Sequence, residues 1–149
     1  MLIFPSQFRG YMRRPAVERW LLLRSALWLV AARVAVWVVP FGNLIRWVEG
    51  MHQRQASTSD LSWAVRIRWA VDVASRHVLG TSTCLPRALA AAVLLKRAGL
   101  PAQVRVGVAR GEDGSPEAHA WVECGGQVVI GGSELERYTL ITALKGAGE

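Results

Sequence analysis

Two residues of this sequence, Cys84 and His119, are of the types that together form an activated nucleophile. Hydroxyl residues at 81–83 come just before Cys84, and Pro86 follows it, a pattern typical of the start of a helix. Unpaired backbone N–H groups and the helix dipole at such a start favour a thiolate. A nearby imidazole would accept the thiol proton. The pair therefore predicts thiol-based nucleophilic chemistry, provided that the fold brings His119 to the start of that helix.

Each of these residues also has a non-catalytic explanation, and the other cysteine and histidines are weaker candidates. Cys84 could be a small buried hydrophobe, and His119 could be a histidine at a sheet edge that bonds water or a carbonyl. Cys124 falls on the strand face opposite His119, His52 lies in a polar linker, and His77 stands late in a helix, where a cation is favourable. Without a CxxC motif or a histidine pair, we expect no disulfide framework, no metal and no cofactor.

The first half of the chain predicts helices. Residues 17–48 are the most apolar stretch, but Arg24, Arg33 and Pro40 interrupt the only window long enough to span a membrane. We expect one or two buried helices there, with a break at residues 40–43. A further helix should begin after the N-cap residues at 57–60 and end near Gly80. Its apolar stripe recurs every fourth residue, at Leu61, Val65, Trp69 and Val73.

The second half predicts a helix followed by strands. The helix that begins at Cys84 should stop at Gly99 and Pro101, with Lys96 and Arg97 at its negative end. Alternating residues then predict strands at 103–108, 117–124 and 127–130, with turns at 110–116 and at 125–126. A short helix or strand is expected around 135–144. The fold class is α+β, in a single domain over residues 1–149.

Charge is uneven along the chain. Residues 1–80 hold eleven Lys and Arg against four Asp and Glu, whereas residues 81–149 hold seven of each. A basic surface attracts nucleic acid, anionic lipid or an acidic partner. The chain has no nucleic-acid-binding motif, so we expect no nucleic acid partner. Residues 1–8 lack the pattern of a signal peptide, so a cytoplasmic location is expected, with peripheral membrane contact through Trp and Arg as an alternative.

Several motifs in order resemble a known family. They are Cys84-Leu85-Pro86-Arg87-Ala88-Leu89, the segments at 94–102 and 105–108, Ala118-His119-Ala120-Trp121-Val122-Glu123, and Gly126. Together they resemble the transglutaminase-like leader peptidases of lasso-peptide biosynthesis, a family of cysteine peptidases. The resemblance covers roughly residues 69–132. The basic, Trp- and Leu-rich beginning is similar to the helical part of those proteins.

This resemblance implies a fold and a role. The fold would be a papain/transglutaminase-like core, in which the helix bearing the cysteine packs on a small antiparallel sheet at 81–149, preceded by an apolar, basic helical part at 1–80. The role would be leader removal from a ribosomally synthesised lasso-peptide precursor, with Cys84 as nucleophile and His119 as base. It further implies a separate leader-binding protein that delivers the precursor, and a macrolactam synthetase that closes the ring.

The sequence departs from the family pattern at the third catalytic position. An Asp usually follows on the strand after the histidine, yet residues 127–132 contain no acid. Glu134 is the leading candidate to hold the imidazole, and Gln127 and Glu123 are weaker ones. The missing acid leaves two alternatives open, a non-catalytic transglutaminase-like module that binds peptides and an acyl transferase. The basic half is also a candidate docking face for the leader or its carrier.

Overall fold

The computed structural model describes residues 15–51, 61–78, 84–132 and 135–140 of the 149-residue chain. The described elements are α-helices followed by β-strands, so the predicted α+β class is confirmed. In chain order they are α1 (Ala16–Val38), α2 (Phe41–Glu49), α3 (Leu61–Val78), α4 (Cys84–Arg97), β1 (Ala102–Arg110), β2 (Pro116–Cys124), β3 (Gln127–Ile130), a 3-10 turn (Leu135–Arg137) and β4 (Thr139–Leu140).

The apolar stretch near the beginning forms α1 and α2, which meet at the predicted break. Val39 has an extended backbone, with φ −107° and ψ 135°, because a residue before proline avoids the helical region. Pro40 then precedes the first turn of α2. The prediction that this stretch is buried is wrong for much of α1. Only one face of that helix packs into the core, and most of the opposite face is exposed.

Helix α3 confirms the predicted helix, but its predicted apolar stripe packs on the core only in part, through Trp69 and Val73. Val65 is 69% exposed, whereas Ala64, Ile67, Val71 and Ala74 are buried. The buried face is rich in alanine because α3 packs closely against both α1 and α4. The N-cap residues at 57–60 and the predicted end at Gly80 lie outside the described residues.

The sheet is antiparallel, with strand order β3-β2-β1-β4. Strands β1, β2 and β3 form the predicted meander, and β4 pairs with the other edge of β1. Val104 of β1 lies opposite Val122 of β2, and both side chains are buried. Helix α4 packs against β1, β2 and β3. One apolar cluster joins this packing to α1, α2 and α3, so the helices and the sheet share a core.

Lys96 is a buried cation in the last turn of α4. Its side chain is 4% exposed, and its ammonium group donates hydrogen bonds to the carbonyl oxygens of Val48 at 2.6 Å and Glu49 at 3.3 Å. Burial lowers the pKa of this lysine, and the charge of Glu49 opposes that effect. Lys96 therefore caps the C-terminal end of α2, where unpaired carbonyls attract a cation, in addition to ending its own helix.

Candidate functional site

Cys84 is the first residue of α4, as the hydroxyl and proline pattern predicts. Its side chain is partly buried and packs against the apolar core. The residues that follow, Ala88 to Leu95, are all buried, so the core holds the helix firmly. The first turn leaves backbone N–H groups without partners inside the helix. The thiol therefore lies where the chain offers hydrogen-bond donors to an anion.

An ion pair fixes the first turn of α4 next to Cys84. The guanidinium of Arg87 binds the carboxylate of Asp72 on α3, which also lies 4.0 Å from Arg68. Both members of the Arg87–Asp72 pair are partly buried, with side chains 33% and 28% exposed. Arg87 belongs to the motif at 84–89, and its pairing with Asp72 of α3 is not evident from the sequence. Asp72 is thus a positioning residue for the helix that carries the thiol.

His119 lies on β2, and a backbone carbonyl orients its ring. The His119 Nε2 atom is 2.8 Å from the carbonyl oxygen of Gly131, just after β3. A carbonyl oxygen accepts a hydrogen bond and cannot donate one, so Nε2 carries the proton. In the neutral ring, the other nitrogen, Nδ1, then has a free lone pair. That lone pair is what a general base needs.

Two aromatic rings flank the imidazole. Trp121 is stacked at a centroid distance of 6.1 Å, and Tyr138 is tilted at 5.1 Å. These rings approach the sheet closely because Gly107 lies opposite His119 on β1. A Cβ atom at Gly107 would come within 2.8 Å of the Tyr138 Cβ and 3.0 Å of the Trp121 ring. The rings restrict the movement of the imidazole and partly bury it.

The candidates for the third catalytic position have different surroundings. Glu123 binds Arg105 at 3.3 Å, and its other oxygen accepts a hydrogen bond of 3.2 Å from the Trp121 ring. Gln127 is exposed at the start of β3. Glu134 lies outside the described residues. In the part of the chain that the structure describes, the Gly131 carbonyl occupies the position next to Nε2.

Cys84 and His119 lie on elements that pack together. Cys84 is the first residue of α4, and α4 packs against β2, the strand that carries His119. His119 pairs with Gly107 of β1, the strand that follows α4 in the chain.

The Cys84 thiol and the His119 imidazole are not hydrogen-bonded to each other. Ala120 and Val122 belong to the core on the face of β2 that α4 covers, whereas His119 and Trp121 point to the other face. Among the residues that the structure describes, no hydrogen bond joins the Cys84 sulfur to the His119 ring. A thiol–imidazole pair would therefore require the His119 ring to turn toward α4.

The other cysteine and histidines lie away from this arrangement. Cys124 is buried on the core face of β2, and burial raises the pKa of its thiol. His77 is exposed at the end of α3, and His52 lies outside the described residues. Within residues 15–51, 61–78, 84–132 and 135–140, no group of three or more His, Cys, Asp or Glu could hold a metal ion.

The difference between the two cysteines predicts selective alkylation. We expect iodoacetamide to modify Cys84 of the folded protein much faster than Cys124 at neutral pH. Cys124 is shielded by the core, and its raised pKa leaves less thiolate at a given pH than an ordinary thiol has. The rate at which Cys124 is modified should increase only at a pH above that at which an ordinary thiol ionises. Peptide mapping by mass spectrometry measures both rates, and equal rates in the native state would contradict the prediction.

Comparison with known proteins identifies the family of the chain. A family model described as the transglutaminase-like superfamily matches residues 26–143, which include Cys84 and His119. Comparisons with curated proteins and with solved structures found no match. The superfamily generally includes cysteine proteases and acyltransferases. The match extends well beyond half of the chain and into α1, so this protein belongs to the transglutaminase-like superfamily.

Proposed function

We propose that this protein is a cysteine peptidase that removes the leader from a ribosomally synthesised lasso-peptide precursor. The observation that carries the proposal is the Gly131 carbonyl at His119 Nε2, which leaves Nδ1 as the basic nitrogen, in a chain whose cysteine Cys84 begins α4. The proposed reaction requires this imidazole to reach the thiol. Family membership supports thiol chemistry. The motif resemblance supports the finer choice of a leader peptide as substrate.

The reaction would proceed in two halves. The Cys84 proton moves to Nδ1 of His119, and the sulfur attacks the scissile carbonyl carbon. The C–N bond then breaks, the imidazolium gives its proton to the leaving amine, and a thioester remains on Cys84. Water attacks the thioester carbonyl as it gives a proton to His119, the C–S bond breaks, and the leader is released as a carboxylic acid. The imidazolium then returns its proton to the Cys84 sulfur, which restores the free enzyme. Backbone N–H groups at the start of α4 are placed to stabilise the oxyanion in both halves.

The Gly131 carbonyl, which lies beside His119 Nε2 where the family has an aspartate, stabilises the imidazole differently from an acid. An aspartate would hold the ring and also stabilise the imidazolium by charge, whereas the Gly131 carbonyl supplies only a dipole. The carbonyl still selects the reactive tautomer and fixes the ring plane. The absence of an acid on the strand after β2 is therefore compatible with catalysis by Cys84 and His119.

An open pocket lies at the end of the sheet where β1 finishes and β2 begins, and it supports a peptide substrate. It has a volume of about 370 Å³ and lies beside the ends of β1 and β4. Val108, Pro116 and Thr139 line it together with Arg110 and with Arg137, which is paired with Glu117 at 3.6 Å. Extended peptides commonly bind beside sheet edges, where the backbone offers hydrogen bonds. The apolar groups and the guanidinium of Arg110 would suit a peptide that carries both apolar and acidic side chains.

The proposed partners follow from the proposed reaction. A separate leader-binding protein would deliver the precursor, and a macrolactam synthetase would use the amine that cleavage frees. Two other functions remain candidates because, among the described residues, a carbonyl and not an acid lies beside Nε2 of His119. An acyl transferase would pass the Cys84 acyl group to an amine, and a non-catalytic module would bind the peptide without cutting it. We place the proposed reaction in the cytoplasm.

The mass of the product distinguishes these functions. Purified protein is mixed with a lasso-peptide precursor and its leader-binding protein, and the products are analysed by intact mass spectrometry. Hydrolysis is expected to yield two fragments whose summed mass exceeds that of the precursor by one water molecule. Acyl transfer would instead add the mass of an amine to the leader fragment. An uncut precursor that co-purifies with the protein would favour the binding module and contradict the proposed function.

A further inference from the structure

Helix α1 has two apolar faces, and the core covers only one of them. The inner face packs against α3 and α4 through Leu21, Leu22, Ser25, Leu29 and Ala32. The outer face carries Trp20, Leu23, Leu27, Val30, Val34 and Trp37, each at least 47% exposed. A helix that is apolar all round is normally covered on every side. Some surface must therefore cover the outer face.

The charges around the outer face restrict what can cover it. At about 3.6 residues per turn, Arg24 lies at one margin of the face and Arg33 at the other. No acidic residue of α1 lies between them, since Glu18, the single acid of the helix, is on the inner side. A second copy of the chain would bring these arginines against their equivalents, and like charges at an interface are unfavourable. The face is therefore suited to an anionic, apolar partner.

The apolar surface continues from α1 onto α2. Trp28 and Trp47 approach with ring centroids 6.5 Å apart, and Trp47 is 55% exposed. They line an apolar groove of about 440 Å³, together with Ala31 and Ala35 of α1 and Leu44 of α2. A groove of this composition can accept hydrocarbon. Tryptophan rings near both ends of α1 match the preference of indole for the boundary between lipid and water.

We propose that the outer face of α1 docks on an anionic lipid bilayer, with the helix lying in the plane of the membrane surface. Of the helices that the structure describes, α1 is the one long and apolar enough to cross a membrane. Its inner face, however, is packed along its length on α3 and α4, so the folded domain holds it at the surface. Trp20, Leu27 and Trp37 enter the interface, and Arg24 and Arg33 contact lipid phosphates. The proposal is independent of the cleavage reaction.

Vesicle binding by the full 149-residue chain tests this proposal. Co-sedimentation is compared between vesicles of phosphatidylcholine alone and vesicles that also contain phosphatidylglycerol, and tryptophan fluorescence reports insertion. We expect binding to the anionic vesicles, a blue shift of the emission, and weaker binding as salt is added. The Leu27→Glu variant should bind more than about tenfold more weakly, because it places a charge on the inserted face. The matched control is Val128→Glu on β3, which should bind as the wild-type chain does.

A second variant separates lipid binding from a folding defect. Arg24→Gln together with Arg33→Gln keeps the apolar face intact and should weaken binding to anionic vesicles about 25-fold, at about fivefold for each arginine. Circular dichroism verifies that both variants remain folded. Equal binding to neutral vesicles, or wild-type binding by either folded variant, would overturn the proposal. So would a lipid-free dimer that Leu27→Glu dissociates, or a protein partner that binds this face while vesicles do not.

Discussion

We expect the Cys84→Ala variant to leave the precursor intact, with a loss of turnover on the order of 10⁴-fold or more. The physical reason is that the proposed reaction passes through a thioester on this sulfur, and no other described thiol can replace it. Cys124 is buried on the core face of β2. The measurement is the rate of fragment formation, followed by mass spectrometry with the precursor and its leader-binding protein present.

The matched control is the other cysteine of the chain. Cys124→Ala should retain cleavage, with at most a small loss of stability from the missing buried sulfur. A folded Cys84→Ala protein that still binds the precursor would show that the change removes chemistry and not structure. Normal cleavage by that variant would disprove the role of the thiol. If Cys124→Ala alone lost cleavage, Cys124 and not Cys84 would be the nucleophile. That result would contradict the role proposed for Cys84.

The second large effect is expected at His119. We expect His119→Ala to lower the cleavage rate by about 10²- to 10⁴-fold, because the thiol loses its base and the leaving amine loses its acid. Timed assays with the precursor and its leader-binding protein measure the rate. A folded His119→Ala protein that cleaves at the wild-type rate would mean that another group acts as the base.

Gly131 tests whether the carbonyl positions that base. Its φ is +78°, and a Cβ atom there would lie 2.9 Å from the Ala120 carbonyl oxygen, so Gly131→Ala must shift the backbone. We expect this change to lower kcat more than KM and to move the pH–rate profile. The neighbouring Gly132→Ala is the control, because its Cβ would contact only the Val128 side chain, at 3.3 Å. Equal profiles for the two variants would show that the carbonyl has no positioning role.

Local patterns predicted most of the secondary structure. The hydroxyl residues and Pro86 indicated that a helix begins at Cys84, and the alternation at 103–108 indicated β1. The face of α3 that is buried could not be predicted from local patterns. Hydrophobicity favours Val65 over Ala64, but close packing against two other helices favours the smaller side chain. That choice depends on neighbours that are distant in the sequence.

Some groups of the candidate site could be predicted from local sequence, and others could not. Cys84 and His119 could be chosen from residue type and context, since thiols and imidazoles are rare in this chain. The group beside Nε2 could not be chosen, because a search among side chains cannot find a backbone carbonyl that every residue possesses. Only the positive φ of Gly131 and its position after β3 bring that oxygen to the ring. The ion pair between Arg87 and Asp72 likewise depends on how α3 meets α4.

The buried ammonium of Lys96 has a consequence for how the chain can be divided. Its hydrogen bonds to Val48 and Glu49 join the last turn of α4 to the end of α2, and so connect the basic part at 1–80 with the part at 81–149. A fragment that begins at residue 81 would lose both acceptors and would expose the apolar side of α4 to water. Transplanting the thiol-bearing region into another protein therefore requires α2 to accompany it.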